Sequence, residues 1–316
     1  MTPEQNRSLI TVCLMAAFAD GHNDPRERDH VRRTAESLSA GAGVDVMSLY
    51  QDVLLKRVTL EQAVAGLDAP ELRQLAFEMA VGVCDADGVH NAGETAFLER
   101  LGALLQLGRS EAAAIVNAAD ALAGAPVDKP LPEMPSVPVP AAPAGPDQAE
   151  LDKMILNAAI LNGALELLPE SLASMAIIPL QTRLVYRVGK AHGFELDRGH
   201  ITDFVATVGV GLTSQYVEQF GRKLVGGLLG KVLGRVGRTI GSEATGSAFS
   251  FATTYALGHV AKRYYADGRR LDGAALKAAF GQLFDNAKGL QQRYAPEIAE
   301  RARTLDLKKL TAELTR

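Results

Sequence analysis

The residues best suited to chemistry in this chain are the oxygen-bearing side chains of a motif that occurs twice. The first copy is Asp20-Gly21-His22-Asn23-Asp24-Pro25-Arg26-Glu27, and the second, 67 residues later, is Asp87-Gly88-Val89-His90-Asn91-Ala92-Gly93-Glu94. Carboxylate and amide oxygens are the ligands that hard cations such as Ca²⁺ and Mg²⁺ prefer. The duplication therefore indicates a candidate site for a weakly bound divalent cation. Its six residues are Asp20, Asp24, Glu27, Asp87, Asn91 and Glu94.

The same motif also has a purely structural interpretation. An Asp or Asn before a helix, with Glu three residues later, forms a capping box that stabilises the helix by ~1 kcal/mol. Asp-Gly is a common turn dipeptide. The spacing differs from an EF-hand, because Gly directly follows Asp and the Glu comes seven residues after it. Capping leaves Asp20 and Asp87 unexplained, and we expect any cation to bind there.

The segments around the two motifs predict an all-helical domain over residues 1–124. Thr2 with Gln5, and Thr59 with Gln62, have the spacing of capping boxes. Apolar residues recur every three to four positions, which indicates about seven helices with an internal helix–turn–helix duplication. Ser110 is expected to cap the last of them. The two cysteines of the chain, Cys13 and Cys84, lie in apolar stretches and are expected to be buried free thiols.

Residues 125–148 are expected to be a linker, because they contain eight of the fourteen prolines of the chain. Such composition favours an extended spacer, and a docking site for proline-recognising modules is the alternative. Residues 149–316 are rich in glycine and alanine and predict a second helical domain. In its helix after Pro179, we expect Arg183, Arg187 and Lys190 to lie on the polar side.

Charge is distributed unevenly along the chain. Residues 1–124 contain 10 basic and 18 acidic residues, whereas residues 151–316 contain 22 basic and 15 acidic ones. One stretch of the second half has cations and no acid, and each cation near an anionic membrane contributes about 1 kcal/mol of attraction. A solvated helix face explains it equally well. Nucleic acid is not expected, since no aromatic residues interleave with these cations. The five cations of this stretch are Arg222, Lys223, Lys231, Arg235 and Arg238.

The second domain is apolar, yet its longest uncharged helix is short for a membrane span. Residues 244–260 comprise seventeen residues including Ser, Thr and His259, and a span needs about 20 predominantly apolar residues. A soluble or peripheral domain is favoured over surface insertion and over true spans. The N-terminus lacks the basic-then-apolar pattern of a secretion signal. We therefore expect a cytoplasmic protein, with a peripheral association with the inner membrane as the alternative.

At the duplicated motif the chain resembles the TerB family of tellurite-resistance proteins. The resemblance covers roughly residues 5–123 and rests on the paired Asp-Gly-x-x-(Asp/Asn)-x-x-Glu turns. It implies a compact helical bundle, an acidic surface that meets metal cations, and a role in stress resistance near the inner membrane. It also implies no established enzymatic activity. Asn91 departs from the acidic pattern at the second site.

The second domain resembles the YcjF-like domain of unknown function, over about residues 150–270. The residues that carry this resemblance are Ala176-Ile177-Ile178-Pro179-Leu180-Gln181, Gly193-Phe194, Thr253-Thr254-Tyr255-Ala256-Leu257-Gly258 and Tyr264-Tyr265. That family is often fused to, or encoded with, small GTPases and is thought to be membrane-associated. The resemblance implies no catalytic residues, and it makes a GTPase or another protein an expected partner.

No sequence motif for an enzyme was recognised, and the chain is expected not to be one. The phosphate-loop-like stretch at residues 226–232 has Val225 where that motif needs Gly, and Val232 where it needs Ser or Thr. The sequence predicts a stress protein with a cation-binding acidic domain and a basic domain for membrane or protein partners. An adaptor or regulator of a GTPase is the alternative. A metal-dependent enzyme at the acidic cluster is a third.

Overall fold

The computed structural model describes residues 2–19, 31–36, 45–87, 91–132, 146–168, 170–208, 212–225 and 240–315. Regular structure within these ranges is helical, which confirms the all-α prediction. A 3₁₀ helix covers Asp85–Asp87, and residues 31–36 are also helical. The α-helices are α1 (Pro3–Ala16), α2 (Val46–Leu54), α3 (Leu60–Val64), α4 (Pro70–Cys84), α5 (Ala92–Leu104), α6 (Arg109–Ala123), α7 (Pro146–Glu166), α8 (Ser171–Met175), α9 (Ile177–Ala191), α10 (Arg198–Val208), α11 (Leu212–Val225), α12 (Ile240–Ala266), α13 (Gly273–Thr304) and α14 (Leu307–Thr315).

Local capping explains where several of these helices begin. Thr2 and Gln5 form the predicted capping box of α1, and Thr59 and Gln62 form that of α3. The prediction for Ser110 is wrong. Helix α6 begins at Arg109, the residue before Ser110. Its N-cap is Gly108, and no side chain forms a capping hydrogen bond. The backbone of Ser110 is therefore already helical, and its hydroxyl does not occupy the capping position.

The first of two compact units contains described residues of 1–124, 169–175 and 210–243. Helix α1 packs against α2, α3, α4 and α11, and α4 packs against α5, α6 and α8. Glycine allows one close approach: a Cβ on Gly82 would lie 3.0 Å from Met175 and 3.1 Å from Phe220. The Tyr216 hydroxyl also donates to the Met175 carbonyl over 3.0 Å. Helices α8 and α11 thus join the core formed by the first 124 residues.

The second unit contains described residues of 125–168, 176–209 and 244–316. Helix α7 packs against α9 and α13, and α10 packs against the same two helices. Its apolar core consists of buried residues from α7, α12 and α13. These are Leu156, Ala159, Ile160, Ala164, Phe251, Ala252, Ala287, Tyr294 and Ile298.

The predicted division into domains stays a prediction. It places boundaries at 1–124, 125–148 and 149–316, and a compact unit of the structure is not the same as an independently folding domain. Part of the predicted linker, residues 133–145, lies outside the described residues. Helix α7 begins at Pro146, three residues inside the predicted linker, since proline is well tolerated in the first helical turn. Ala125 is only 4% exposed. The start of the linker is therefore packed against protein.

Arg183 contradicts its predicted position on the polar side of its helix, since it is only 2% exposed. Its Nε donates to the Pro126 carbonyl over 3.0 Å, Nη1 to the Pro130 carbonyl over 3.2 Å and Nη2 to the Leu314 carbonyl over 2.9 Å. These acceptors compensate part of the cost of burying a polar group. Arg183 joins α9 to both the proline-rich segment and the last helix.

Candidate functional site

Asn91 and Glu94, from the second motif, form a complete capping box at the start of α5. The Asn91 Oδ1 accepts from the Gly93 N–H over 2.8 Å and from the Glu94 N–H over 3.1 Å. The Glu94 Oε2 in turn accepts from the Asn91 N–H over 2.9 Å. The structural interpretation of these two residues is thus confirmed. Oxygens committed to helix N–H groups have less capacity left for a cation.

The other four predicted ligands cannot be compared in the same way. Asp20, Asp24 and Glu27 lie outside the described residues. Asp87 closes the 3₁₀ helix Asp85–Asp87 that follows α4. Of the six predicted site residues, the described part of the chain therefore brings together Asn91 and Glu94.

A close backbone approach links the segment before the first motif to the helix opened by the second. A Cβ on Gly93 would lie 2.5 Å from the carbonyl oxygen of Ala19, the residue that precedes Asp20 in the chain. Only glycine leaves room for that carbonyl. The ends of α1 and α4 also meet, because the Cys84 thiol contacts the Ala16 carbonyl at 4.0 Å. The end of α1 and the start of α5 are neighbours in space.

Sequence analysis missed a buried acid next to the second motif. Asp85 is 3% exposed and is the C-cap of α4. The duplication gave no signal for it, because Phe18 stands at the position 67 residues earlier. The available signal was an acidic residue directly after the apolar stripe of α4, two residues before Asp87. Asp85 adds a carboxylate to the acidic residues of this turn.

Both cysteines are buried free thiols, as predicted. Burial raises the pKa of the Cys13 thiol far above its usual range, so the thiolate form that binds metals or attacks substrates is suppressed. Within the ranges that the structure covers, no three His, Cys, Asp or Glu side chains form a group that could hold a metal ion.

A separate acid-lined cavity of about 610 Å³ lies in the first unit, with Glu4, Asp45, Asp52 and Arg7 in its wall. Two of the acids have structural roles. Asp45 accepts from the Ser48 N–H over 3.0 Å at the start of α2, and Asp52 lies 3.9 Å from Arg57. The cavity has an excess of negative charge, and two of its acids already have a hydrogen-bond or ion-pair partner.

Five cations were predicted to face a membrane. Of these, Arg222 is the one whose side chain lies in the described part of the structure. It forms an ion pair with Glu218 over 2.5 Å, with 20% and 16% of the two side chains exposed. Lys223 belongs to α11, whereas Lys231, Arg235 and Arg238 lie outside the described residues. Glu218 lies one helical turn before Arg222 and therefore outside the acid-free stretch 222–238 identified in the sequence. It neutralises one of the five cations.

Helix α12 extends over 27 residues, four earlier and six later than the stretch predicted from the sequence. Polar and charged residues near both of its ends lower its hydropathy. Across the described helices, none combines the length and the apolar character that crossing a bilayer requires.

The described helices of the first unit thus form a bundle, and its sequence contains the duplicated motif. Residues 6–117 match the family model described as tellurite resistance protein TerB, and the match includes both motif copies. This confirms the TerB-like prediction for the N-terminal part. Helices α8 and α11 lie outside the matched residues but share the core of the same unit. Comparisons with curated proteins and with solved structures found no match. The YcjF-like resemblance of the C-terminal part stays a prediction.

Proposed function

We propose that this chain is a non-enzymatic protein of the tellurite-resistance type, whose first unit binds a hard divalent cation at the paired Asp-Gly turns. The observation that carries this proposal is the contact between the Ala19 carbonyl and Gly93. It supports a shared site because Ala19 precedes the first motif and Gly93 belongs to the second. Two segments of the chain that approach each other at Ala19 and Gly93 can supply oxygen ligands from separate parts of the sequence.

The proposal assigns different roles to the motif residues. Asn91 and Glu94 hold the start of α5 by capping it. Asp20 and Asp87 are the proposed ligands, and by analogy with the second copy we assign Asp24 and Glu27 to helix capping. The cation is Ca²⁺ or Mg²⁺, since both prefer oxygen ligands. With few ligands free of structural duties, we expect weak binding.

Calorimetric titration of the full chain with Ca²⁺ and with Mg²⁺ tests this site. Asp20→Asn and Asp87→Asn should each weaken binding by about tenfold, because each removes one ionic ligand. Asp68→Asn is the matched control, since Asp68 is exposed and lies outside both motifs. Equal affinities for all four proteins would refute the proposed site.

The C-terminal half is proposed to meet an anionic membrane surface or a protein partner, in keeping with its surplus of cations. The contribution of Arg222 should be small, because Glu218 already pairs with it. Flotation of the full chain with phosphatidylglycerol vesicles tests this. Changing Lys231, Arg235 and Arg238 together to Gln should abolish flotation, whereas Arg222→Gln should not.

The alternative proposal is an adaptor or regulator of a GTPase, motivated by the YcjF-like resemblance. Affinity capture with the full chain discriminates between the two. Recovery of a GTPase, with no flotation on anionic vesicles, would favour the adaptor and reject the membrane proposal.

A further inference from the structure

A groove of about 760 Å³ lies between α5 and α6 of the first unit. The turn between these helices fixes its shape, because the Leu107 N–H donates to the Gly102 carbonyl over 3.1 Å at the end of α5. The buried Phe77 ring of α4 forms part of the floor, and a Cβ on Gly102 would lie 3.3 Å from it. The groove therefore has a packed aromatic floor and two helical walls.

The walls of this groove are mostly apolar. Leu107 and Val116 are half-buried, and Ala103 and Ala113 are exposed. Apolar side chains scattered singly over a surface need no explanation, whereas those that converge on one concave surface are typical of interaction sites. A partner that covered them would gain about 25 cal/mol per Å² of apolar surface buried. The groove is thus shaped for an apolar contact.

Each wall also carries one charge, and the two charges are opposite. Glu99 belongs to α5, and Arg109 is the first residue of α6. Both residues are exposed, and neither forms an ion pair with any residue that the structure describes. They are the two charged residues that line the groove, so it has no net charge. An anionic membrane or a nucleic acid would instead need a surplus of cations.

We propose that this groove is the interface of a homodimer, occupied by the same α5–α6 surface of a second copy of the chain. A twofold dimer uses one patch twice, so a residue that meets a second residue across the interface is met by it in return. Glu99 then pairs with the partner subunit's Arg109, and Arg109 with the partner subunit's Glu99. The apolar walls are buried between the two ion pairs.

The charges of the groove are complementary to themselves, and this is what favours a second copy over another protein. One acid on one wall and one base on the other satisfy the twofold arrangement without any further charged group. The dimer is also independent of the proposed cation site, because neither copy of the duplicated motif contributes a residue to the groove.

Sedimentation equilibrium of the full chain, between about 1 µM and about 500 µM, tests the dimer. The wild type should pass from monomer to dimer within this range, because an interface centred on one groove belongs to the small and weakly associating class. EDTA is present throughout, so that the outcome does not depend on cation binding at the paired turns.

Charge reversal tests the pairing. Glu99→Arg and Arg109→Glu should each weaken dimerisation at least about tenfold, because each places like charges opposite one another at two symmetry-related positions. The double variant exchanges the signs and re-forms both pairs, so its affinity should return to within about threefold of the wild type. Both residues are exposed, so the variants should fold. Asp68→Arg is the matched control, since Asp68 is exposed and lies outside the groove.

Three results would overturn the proposal. The first is a wild-type chain that stays monomeric at about 500 µM. The second is a dimer that neither single reversal weakens more than Asp68→Arg does. The third is a double variant that dimerises no better than the single variants, because opposite charges would then not meet across the interface.

Discussion

The two units contain cavities of similar size and opposite charge. In the first unit Glu4, Asp45 and Asp52 outnumber Arg7 around about 610 Å³, whereas in the second unit basic residues outnumber acidic ones around about 570 Å³. Each cavity thus has the same sign of excess charge as the half of the sequence that supplies most of its lining residues.

The interiors of the units also differ. In the first, apolar side chains from distant parts of the chain meet at Gly82. In the second, Thr254 accepts from Asn162 over 2.8 Å and from Gln181 over 3.0 Å, and Ser250 donates to Glu166 over 2.9 Å. Buried polar networks stabilise only while their partners stay matched. We expect the stability of the first unit to fall most when buried side-chain volume is removed. The stability of the second unit should depend most on the protonation of its buried groups.

The largest expected effect comes from Phe220→Ala in the first unit. Phe220 is 1% exposed, and truncation of a buried Phe typically costs about 3–5 kcal/mol. Because α11 packs against α1 and α4, hydrogen exchange in both of those helices should accelerate. Leu55→Ala is the control, since Leu55 is 56% exposed. Unchanged exchange in α1 and α4 would show that α11 is not part of their core.

A smaller effect, dependent on pH, is expected at His259 in the second unit. Burial lowers the pKa of His259 to about 4 despite the nearby Asp152 carboxylate, and Lys262 lowers it further. Between that value and the ordinary value near 6.5 the unfolded chain binds the extra proton, so stability falls as the pH falls through this window.

His259→Gln removes this proton uptake, so the difference in unfolding free energy between the variant and the wild type should change by at most about 3 kcal/mol between pH 6.5 and 4. Denaturant titrations at several pH values measure the change. Gln also loses the contact between His259 and the Tyr255 ring, with ring centroids 4.4 Å apart, but that loss shifts stability equally at each pH. A difference independent of pH would contradict the prediction.

The smallest expected effect is that of Gly93→Ala, which tests the contact between the two motif regions. The new methyl group would overlap the Ala19 carbonyl, a backbone atom that cannot rotate away, and such overpacking costs about 2 kcal/mol. Gly281→Ala is the control, because a Cβ there meets nothing within 4 Å, and alanine favours a helix by up to about 1 kcal/mol. If both variants are equally stable in thermal unfolding, the close approach is absent.

Local signals in the sequence predicted the local structure well. The capping boxes at Thr2, Thr59 and Asn91 are where residue spacing placed them, because capping depends on side chains three residues apart. Periodicity shows that a face is buried but not what buries it, so the packing of α11 against α1 and α4 was not predicted. Arg183 was misplaced for the same reason, because its carbonyl acceptors are 53 to 131 residues away in the chain.

The candidate site was predictable only in part. The duplication identified Asn91 and Glu94, but their capping role leaves the cation to residues beyond the capping box. Asp85 was missed because the duplication does not extend to it. The contact between Ala19 and Gly93 depends on the packing of α1 against α4. The pattern of residues along one sequence does not specify which helices pack together.

The central claim, a shared cation site at the two turns, is tested most directly with Mn²⁺. This ion prefers the same oxygen ligands and broadens nearby nuclear resonances. In full-length, ¹⁵N-labelled protein, substoichiometric Mn²⁺ should broaden the amide signals of both Ala19 and Gly93 first, and leave that of Thr254 unaffected. Preferential broadening at Asp45 and Asp52, with Ala19 and Gly93 unchanged, would place the cation in the other acidic cavity and contradict the claim.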